Sequence, residues 1–148
     1  PIDQYLIKNG FDVTGIDISK KQIELARKNL PEAHFIHSDF MDTSLANDSY
    51  DAIVSFYTIF HLPREKHCQF IEKLFKYIRP NGWLLMTMGF EDWEGEEEFH
   101  GTNMYWSHYD RSKNIELVEK AGFKIEFKET DRSGGESHLI ILAQKELR

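Results

Sequence analysis

The chain has 148 residues, 41% of them hydrophobic and 14% aromatic, which suffices for one packed domain, and its formal charge of −7 argues against a polyanionic partner such as nucleic acid. No stretch approaches the ~18 consecutive apolar residues of a membrane span, and no basic segment followed by an apolar one opens the chain in the manner of a secretion signal. With a single cysteine, Cys68, an internal disulfide is excluded, so a cytoplasmic protein acting on a small molecule, with no nucleic acid and no membrane partner, is the expectation.

Pro1 to Gly10 reads as a first helix, with proline in the early turn and glycine near the C-cap. Phe11 to Asp17 is a short apolar strand ending on a carboxylate, and Ser19-Lys-Lys-Gln22 has the form of a capping box that opens a second helix carrying Ile23, Ala26 and Leu30 up to Pro31. In an open α/β sheet, an acid at the carboxyl end of a strand faces the crevice where nucleotides lie and accepts hydrogen bonds from a ribose diol. Asp17, with the adjoining Ile18, is therefore the first candidate for a ligand contact. Ala33 to His37 alternates into the next strand, and Ser38-Asp39-Phe40 ends it with a second acid followed by an aromatic.

A polar segment, Asp42 to Ser49, leads to Tyr50 to Tyr57, whose continuous apolar character predicts a strand buried on both faces in the middle of a parallel sheet. The next helix starts near Pro63, presents Phe70, Ile71, Leu74, Phe75 and Ile78 as one stripe, and ends at the turn Arg79-Pro-Asn-Gly82 before a buried strand, Trp83 to Met88. Residues 89 to 109 show little periodicity but hold Phe90, Trp93, Phe99, Tyr105, Trp106 and Tyr109, and six acids crowd into 91 to 98; a long loop of this kind predicts a lid over a binding site or a solvated loop. Asp110 can cap a helix closed by Gly122. Lys124 to Glu129 and His138 to Ala143 are the last strands. Only Thr130 to Ser137 joins them, too short for a parallel crossover, so they must pair as an antiparallel hairpin.

Alternating strands and helices, acids at successive strand ends and a closing antiparallel hairpin together resemble the class I methyltransferases that use S-adenosyl-L-methionine. Gly15-Ile-Asp17-Ile-Ser19 looks like that family's second motif, whose acid holds the ribose hydroxyls, and Ser38-Asp39-Phe40 like the third, which flanks the adenine. Tyr50 to Tyr57 is similar to the fourth motif, Arg79 to Leu85 to the turn and strand after it, and Ala121-Gly122-Phe123 fits the family's pattern before its hairpin. The resemblance implies a Rossmann-like α/β three-layer sandwich with strand order 3-2-1-4-5-7-6, strand seven antiparallel. The family's first strand and glycine-rich loop have no counterpart here, so a single methyltransferase-like domain, 1–148 and N-terminally incomplete, is the expectation. The open edges this leaves on strands two and four invite pairing with a second copy.

The resemblance further implies that Asp17, Ile18, Asp39 and Phe40 hold the nucleoside while Phe56 and Tyr57 line the reacting end of the cofactor. His61 and Tyr57, just beyond the fourth-motif strand, are the catalytic candidates: an imidazole titrates near neutral pH and can take a proton from an attacking hydroxyl or amine. Each has a plainer reading. Asp17 also favours the dipole of the following helix, His61 could simply bond the next helix, and Phe40 could be core. His61, Trp106, His108 and Tyr109 are the substrate-binding candidates, against the alternative that the loop aromatics only pack on the sheet. His34 and His37 point to opposite faces of one strand, and no spacing resembles a zinc site, so no metal is expected. Rival readings are a non-catalytic binding or assembly module on the same architecture, and a nicotinamide-dependent enzyme, which gives no expectation of the closing hairpin.

Overall fold

The computed structural model describes residues 1–147, and the chain divides into two compact units, Pro1–Leu45 and the residues from Ala46 onward. The first unit runs α1 (Ile2–Lys8), β1 (Thr14–Asp17), α2 (Lys20–Asn29) and β2 (His34–His37). The two strands are parallel and in register from Thr14↔His34 to Asp17↔His37, as a strand–helix–strand unit requires. Ser19 caps α2: its Oγ accepts the Gln22 N–H at 3.4 Å, one half of the expected capping box. Val13, Ile23 and Phe35 are the buried apolar residues of this unit. Arg27 donates from Nη2 to the Phe35 carbonyl at 2.8 Å, fastening helix to strand.

The second unit contains β3 (Tyr50–Ser55), a 3₁₀ turn (Ile59–His61), α3 (Arg64–Tyr77), β4 (Ile78–Gly89), β5 (Trp93–Phe99), β6 (Thr102–His108), α4 (Arg111–Lys120), β7 (Lys124–Asp131) and β8 (His138–Gln144). Four strands form one sheet in the order β3-β4-β8-β7. β3 and β4 are parallel, whereas β8 runs antiparallel to both β4 and β7, so the closing hairpin forms as its short connection demands. Leu84, Met86 and Met88 on β4 lie opposite Ala143, Ile141 and Leu139 on β8, and all six are fully buried. This shared face, with Phe70, Ile71, Leu74 and Tyr77 of α3 and Leu117 and Val118 of α4, is the core of the unit. Asp110 caps α4, its Oδ1 accepting the Lys113 N–H at 2.9 Å.

Three elements differ from the sequence expectation. β3 stands at the end of the four-stranded sheet, and Asp51 and Ala52 are exposed in place of continuous burial on both faces. β4 starts at Ile78, so the predicted Arg79–Gly82 turn is absorbed as an irregularity: the pairing jumps from Tyr50↔Ile78 to Ala52↔Trp83. Most consequentially, residues 89 to 109 are not a loop. β5 and β6 form an antiparallel hairpin in register from Trp93↔His108 to Phe99↔Thr102. Its two turn residues, His100 and Gly101, have φ of 51° and 79°, the left-handed pair that matches strand twist in a tight hairpin.

Lys145, just past β8, closes the unit. Its Nζ donates to the carbonyls of Phe75 and Ile78 at 2.7 and 2.8 Å and to Asp48 Oδ1 at 2.7 Å, and lies 4.5 Å from the centre of the Phe75 ring. A cation at the end of α3 thus satisfies backbone oxygens that the helix leaves open. Among the described residues no helix is long and apolar enough to cross a membrane.

Candidate functional site

In the first unit the candidate residues gather at the carboxyl end of the parallel pair. Asp17 is the last residue of β1 and lies opposite His37, the last of β2; Asp39 follows two residues on. Both carboxylates therefore stand at one edge. Asp17 Oδ1 accepts the Ser19 N–H at 2.7 Å, which orients the carboxylate at the start of α2. The Ile18 carbonyl accepts from His37 Nε2 at 3.0 Å, while the Ile18 side chain is 68% exposed. Asp39 Oδ1 accepts the Met41 N–H at 2.8 Å, and its carbonyl accepts from the Thr43 hydroxyl at 2.7 Å, so the turn carrying half-buried Phe40 is tightly bonded.

The donor and acceptor chemistry fits a nucleoside. A carboxylate offers about four acceptor positions, and the backbone bond to Asp17 uses one of them. The remainder suit a vicinal diol, which can donate twice. The exposed Ile18 side chain beside it offers an apolar surface to a base or ribose.

In the second unit β3 ends at Ser55, and Phe56 is half-buried. Tyr57 has φ of 61°, a conformation rarely adopted by a bulky residue, and remains 45% exposed. Its ring meets the His138 ring edge-on at 5.1 Å and lies 5.9 Å from Phe60. Phe60, nearly fully buried, in turn meets His138 at 5.7 Å and His108 at 5.5 Å. Strain at Tyr57 is held by this packing, an arrangement that clusters at functional positions.

His61 ends the 3₁₀ turn and is exposed. Its ring lies 4.4 Å from the Trp106 ring, and its Nδ1 is 3.3 Å from the Tyr105 carbonyl. Trp106 also meets Phe99 at 5.6 Å. His108 bonds through Nδ1 to the Glu91 carbonyl and faces Trp93 and Phe60. The structure thus brings His61 and Trp106 together, and links Tyr57 to His108 through Phe60 and His138. Tyr109 belongs to a different cluster, with the Arg64 guanidinium 5.3 Å over its ring and His67 edge-on at 5.6 Å.

Sequence reasoning missed His67, Ser107, Phe60 and His138. His67 is 1% exposed; Nε2 is 3.0 Å from the Leu62 carbonyl, which also accepts from the Ser107 hydroxyl at 2.9 Å. Nδ1 is buried without a hydrogen-bond partner among the described residues. The signal available beforehand was its place on the apolar stripe, three residues before Phe70 and seven before Leu74. Burial, opposed by the backbone bonds, lowers the His67 pKa, so the imidazole is neutral in the fold. Unfolded, it binds a proton below about pH 6.5. Its stabilising contribution is therefore complete above that pH and drains away as pH falls toward the lower folded value. Thermal melts from about pH 8 to about pH 5 should show a steeper loss of stability in the wild type than in His67→Gln.

Cys68, also on α3, is exposed, with its thiol 3.4 Å from Glu72 Oε1. Desolvation and that carboxylate raise its pKa, which disfavours the thiolate needed of a nucleophile.

Comparison with known proteins identifies the family of the chain. The family model of the methyltransferase domain matches residues 2–86, which include Asp17, Asp39, Tyr57 and His61. An uncharacterized methyltransferase of Oceanobacillus iheyensis is 26% identical over 131 residues, covering 88% of this chain and 55% of that protein. The chain thus spans about half the length of that relative. Among solved structures, an S-adenosylmethionine-dependent methyltransferase from Methanosarcina mazei superposes with a TM-score of 0.85 at 19% identity, covering 99% of this chain and 87% of that one. The 1,6-didemethyltoxoflavin N1-methyltransferase of Burkholderia thailandensis, solved with bound 1,6-didemethyltoxoflavin and S-adenosylhomocysteine, gives 0.77 at 17%, covering 98% and 66%. These likenesses share a Rossmann-like fold. With the family model matched over more than half its length, the chain belongs to the S-adenosylmethionine-dependent methyltransferase family.

Proposed function

We propose that this protein transfers the methyl group of S-adenosyl-L-methionine to a small-molecule acceptor, with both compact units belonging to one methyltransferase-like domain. The observation that carries the reading is the pair of carboxylates, Asp17 and Asp39, at one edge of a parallel strand pair inside the segment matched by the family.

The cofactor, when bound, supplies an electrophilic methyl on a sulfonium. The chain's own residues have simpler tasks. Asp17 accepts hydrogen bonds from the ribose diol, with the apolar Ile18 beside it, and Asp39 and Phe40 flank the adenine. Phe56 and Tyr57 line the reacting end. His61 takes the proton that an O–H or N–H acceptor loses, and Trp106, His108 and Tyr109 are proposed to hold that acceptor. In-line displacement depends mainly on alignment, so most of the rate comes from positioning. A reducing, cytoplasmic setting is part of the proposal, since the chain has one cysteine.

Calorimetric titration of S-adenosylhomocysteine into this chain, and into the product of the open reading frame that encodes it, tests the reading. Binding is expected, and Asp17→Ala should weaken it about 10- to 100-fold, the loss of one or two hydrogen bonds to a charged group. No binding by either protein overturns it. Equal affinity of wild type and Asp17→Ala would remove the ribose assignment.

A further inference from the structure

The β5–β6 hairpin is tied to α3 and to the turn before it by a series of polar contacts. Arg64, the first residue of α3, is ion-paired with the hairpin and the turn before it. Nη2 and Nη1 meet the two Asp92 carboxylate oxygens at 2.9 and 3.2 Å, and Nε lies 3.4 Å from Glu94 Oε2. Only 21% of the Arg64 side chain is exposed, so this two-oxygen pairing is better shielded than an ordinary surface ion pair. The other Glu94 oxygen accepts the Tyr105 hydroxyl, and Tyr105 is the residue whose backbone carbonyl meets His61 Nδ1. One residue further along β6, Trp106 packs against the His61 ring. One more, Ser107, bonds the Leu62 carbonyl adjoining His61, together with His67.

These contacts have a chemical consequence. A carbonyl can only accept, so the bond at Nδ1 requires that nitrogen to carry the proton when the ring is neutral. Nε2 is then left as the lone-pair nitrogen, the form a general base needs. We propose that Arg64 and Glu94 are positioning residues, acting through Tyr105 to hold His61 as the Nδ1–H tautomer with Nε2 free to accept a proton. The inference rests on the reading of His61 as the base. Neither Arg64 nor Glu94 touches the reacting atoms; they fix the strand whose carbonyl sets the tautomer. The hydrogen bond to Glu94 raises the Tyr105 pKa, which keeps its hydroxyl protonated and donating.

Nitrogen-15 spectra of histidine-labelled protein, recorded at alkaline pH where imidazoles are neutral, read the tautomer directly and need no acceptor. In the wild type, His61 should show a protonated, pyrrole-type Nδ1 and an unprotonated, pyridine-type Nε2. Arg64→Met should shift both resonances toward the opposite tautomer. Tyr105→Phe, which removes only the hydroxyl, should move them in the same direction and keeps the test valid where Arg64→Met fails to fold. A wild-type His61 with the proton on Nε2 overturns the proposal, as does an unchanged tautomer in both variants. A separate result, methyl transfer unaffected by His61→Asn, would sink the base reading while leaving the tautomer assignment standing.

Discussion

Phe70→Ala should destabilise the second unit by about 3–5 kcal/mol, the range for truncating a buried aromatic. Phe70 is 2% exposed and sits on α3 between buried His67 and Leu74. Cavities at such sites collapse only partly because sheet and helix hold each other at fixed spacing. α3 packs on β4 and on α4, which itself packs on β4 and β7, so the loss should appear as one cooperative transition shifted to lower temperature. Melts followed by far-ultraviolet circular dichroism, with chemical denaturation to convert the shift to free energy, measure it. A change under about 1 kcal/mol would mean that the core reading of α3 is wrong.

Gly89→Val is expected to be nearly as damaging, by a different route. Gly89 ends β4 opposite His138 of β8, and a Cβ there would run into the His108 Cβ and ring. The obstructing atoms include the root of the side chain, so rotation of the imidazole alone does not relieve the overlap. Asn114 Nδ2 also donates to the Gly89 carbonyl at 2.9 Å, which holds this backbone against α4. Either β6 moves away or the end of β4 does. Overpacking of this kind typically costs about 1–3 kcal/mol, and because the obstructing Cβ of His108 is fixed directly to the β6 chain, this case falls at the upper end. The informative outcome is local: amide exchange should rise across Glu94 to Ser107 while the interior of β4 stays protected. A variant that melts like the wild type and keeps the hairpin protected would contradict the packing described.

Much of this architecture could be read from the residues in order. Asp17 and Asp39 at or just past strand ends, Ser19 and Asp110 as caps, and the short connection before His138, which the structure narrows from 130–137 to 132–137, each depend on local rules, and local rules survive folding. The hairpin did not yield to the same approach. β5 carries Glu94, Glu96, Glu97 and Glu98, residues depleted in strands, and is almost wholly exposed, so no alternation marks it. Its pairing comes instead from His100-Gly101 at the turn, and its anchor is Arg64 on α3, 28 positions before its partner Asp92. The Phe60, His138 and His108 rings are likewise brought together from three separate elements, and Lys145 reaches Asp48 across 97 positions. Such partners become visible only once the sheet is assembled. The candidate site residues divide in the same way: His61 was nameable from its place after β3, but the Tyr105 carbonyl beside its Nδ1 was not.

The strand order β3-β4-β8-β7 bears on how the protein is made. β8 follows both of its neighbours in sequence, yet it lies between them. On the ribosome, β4 and β7 are therefore both made before the strand that joins them, each with unpaired backbone groups along an edge. Neither can close the gap early, because the missing partner is still being synthesised. The interval before Leu139, Ile141 and Ala143 emerge is when the nascent chain is most exposed to self-association and to proteases, and slowed translation after β7 would lengthen it.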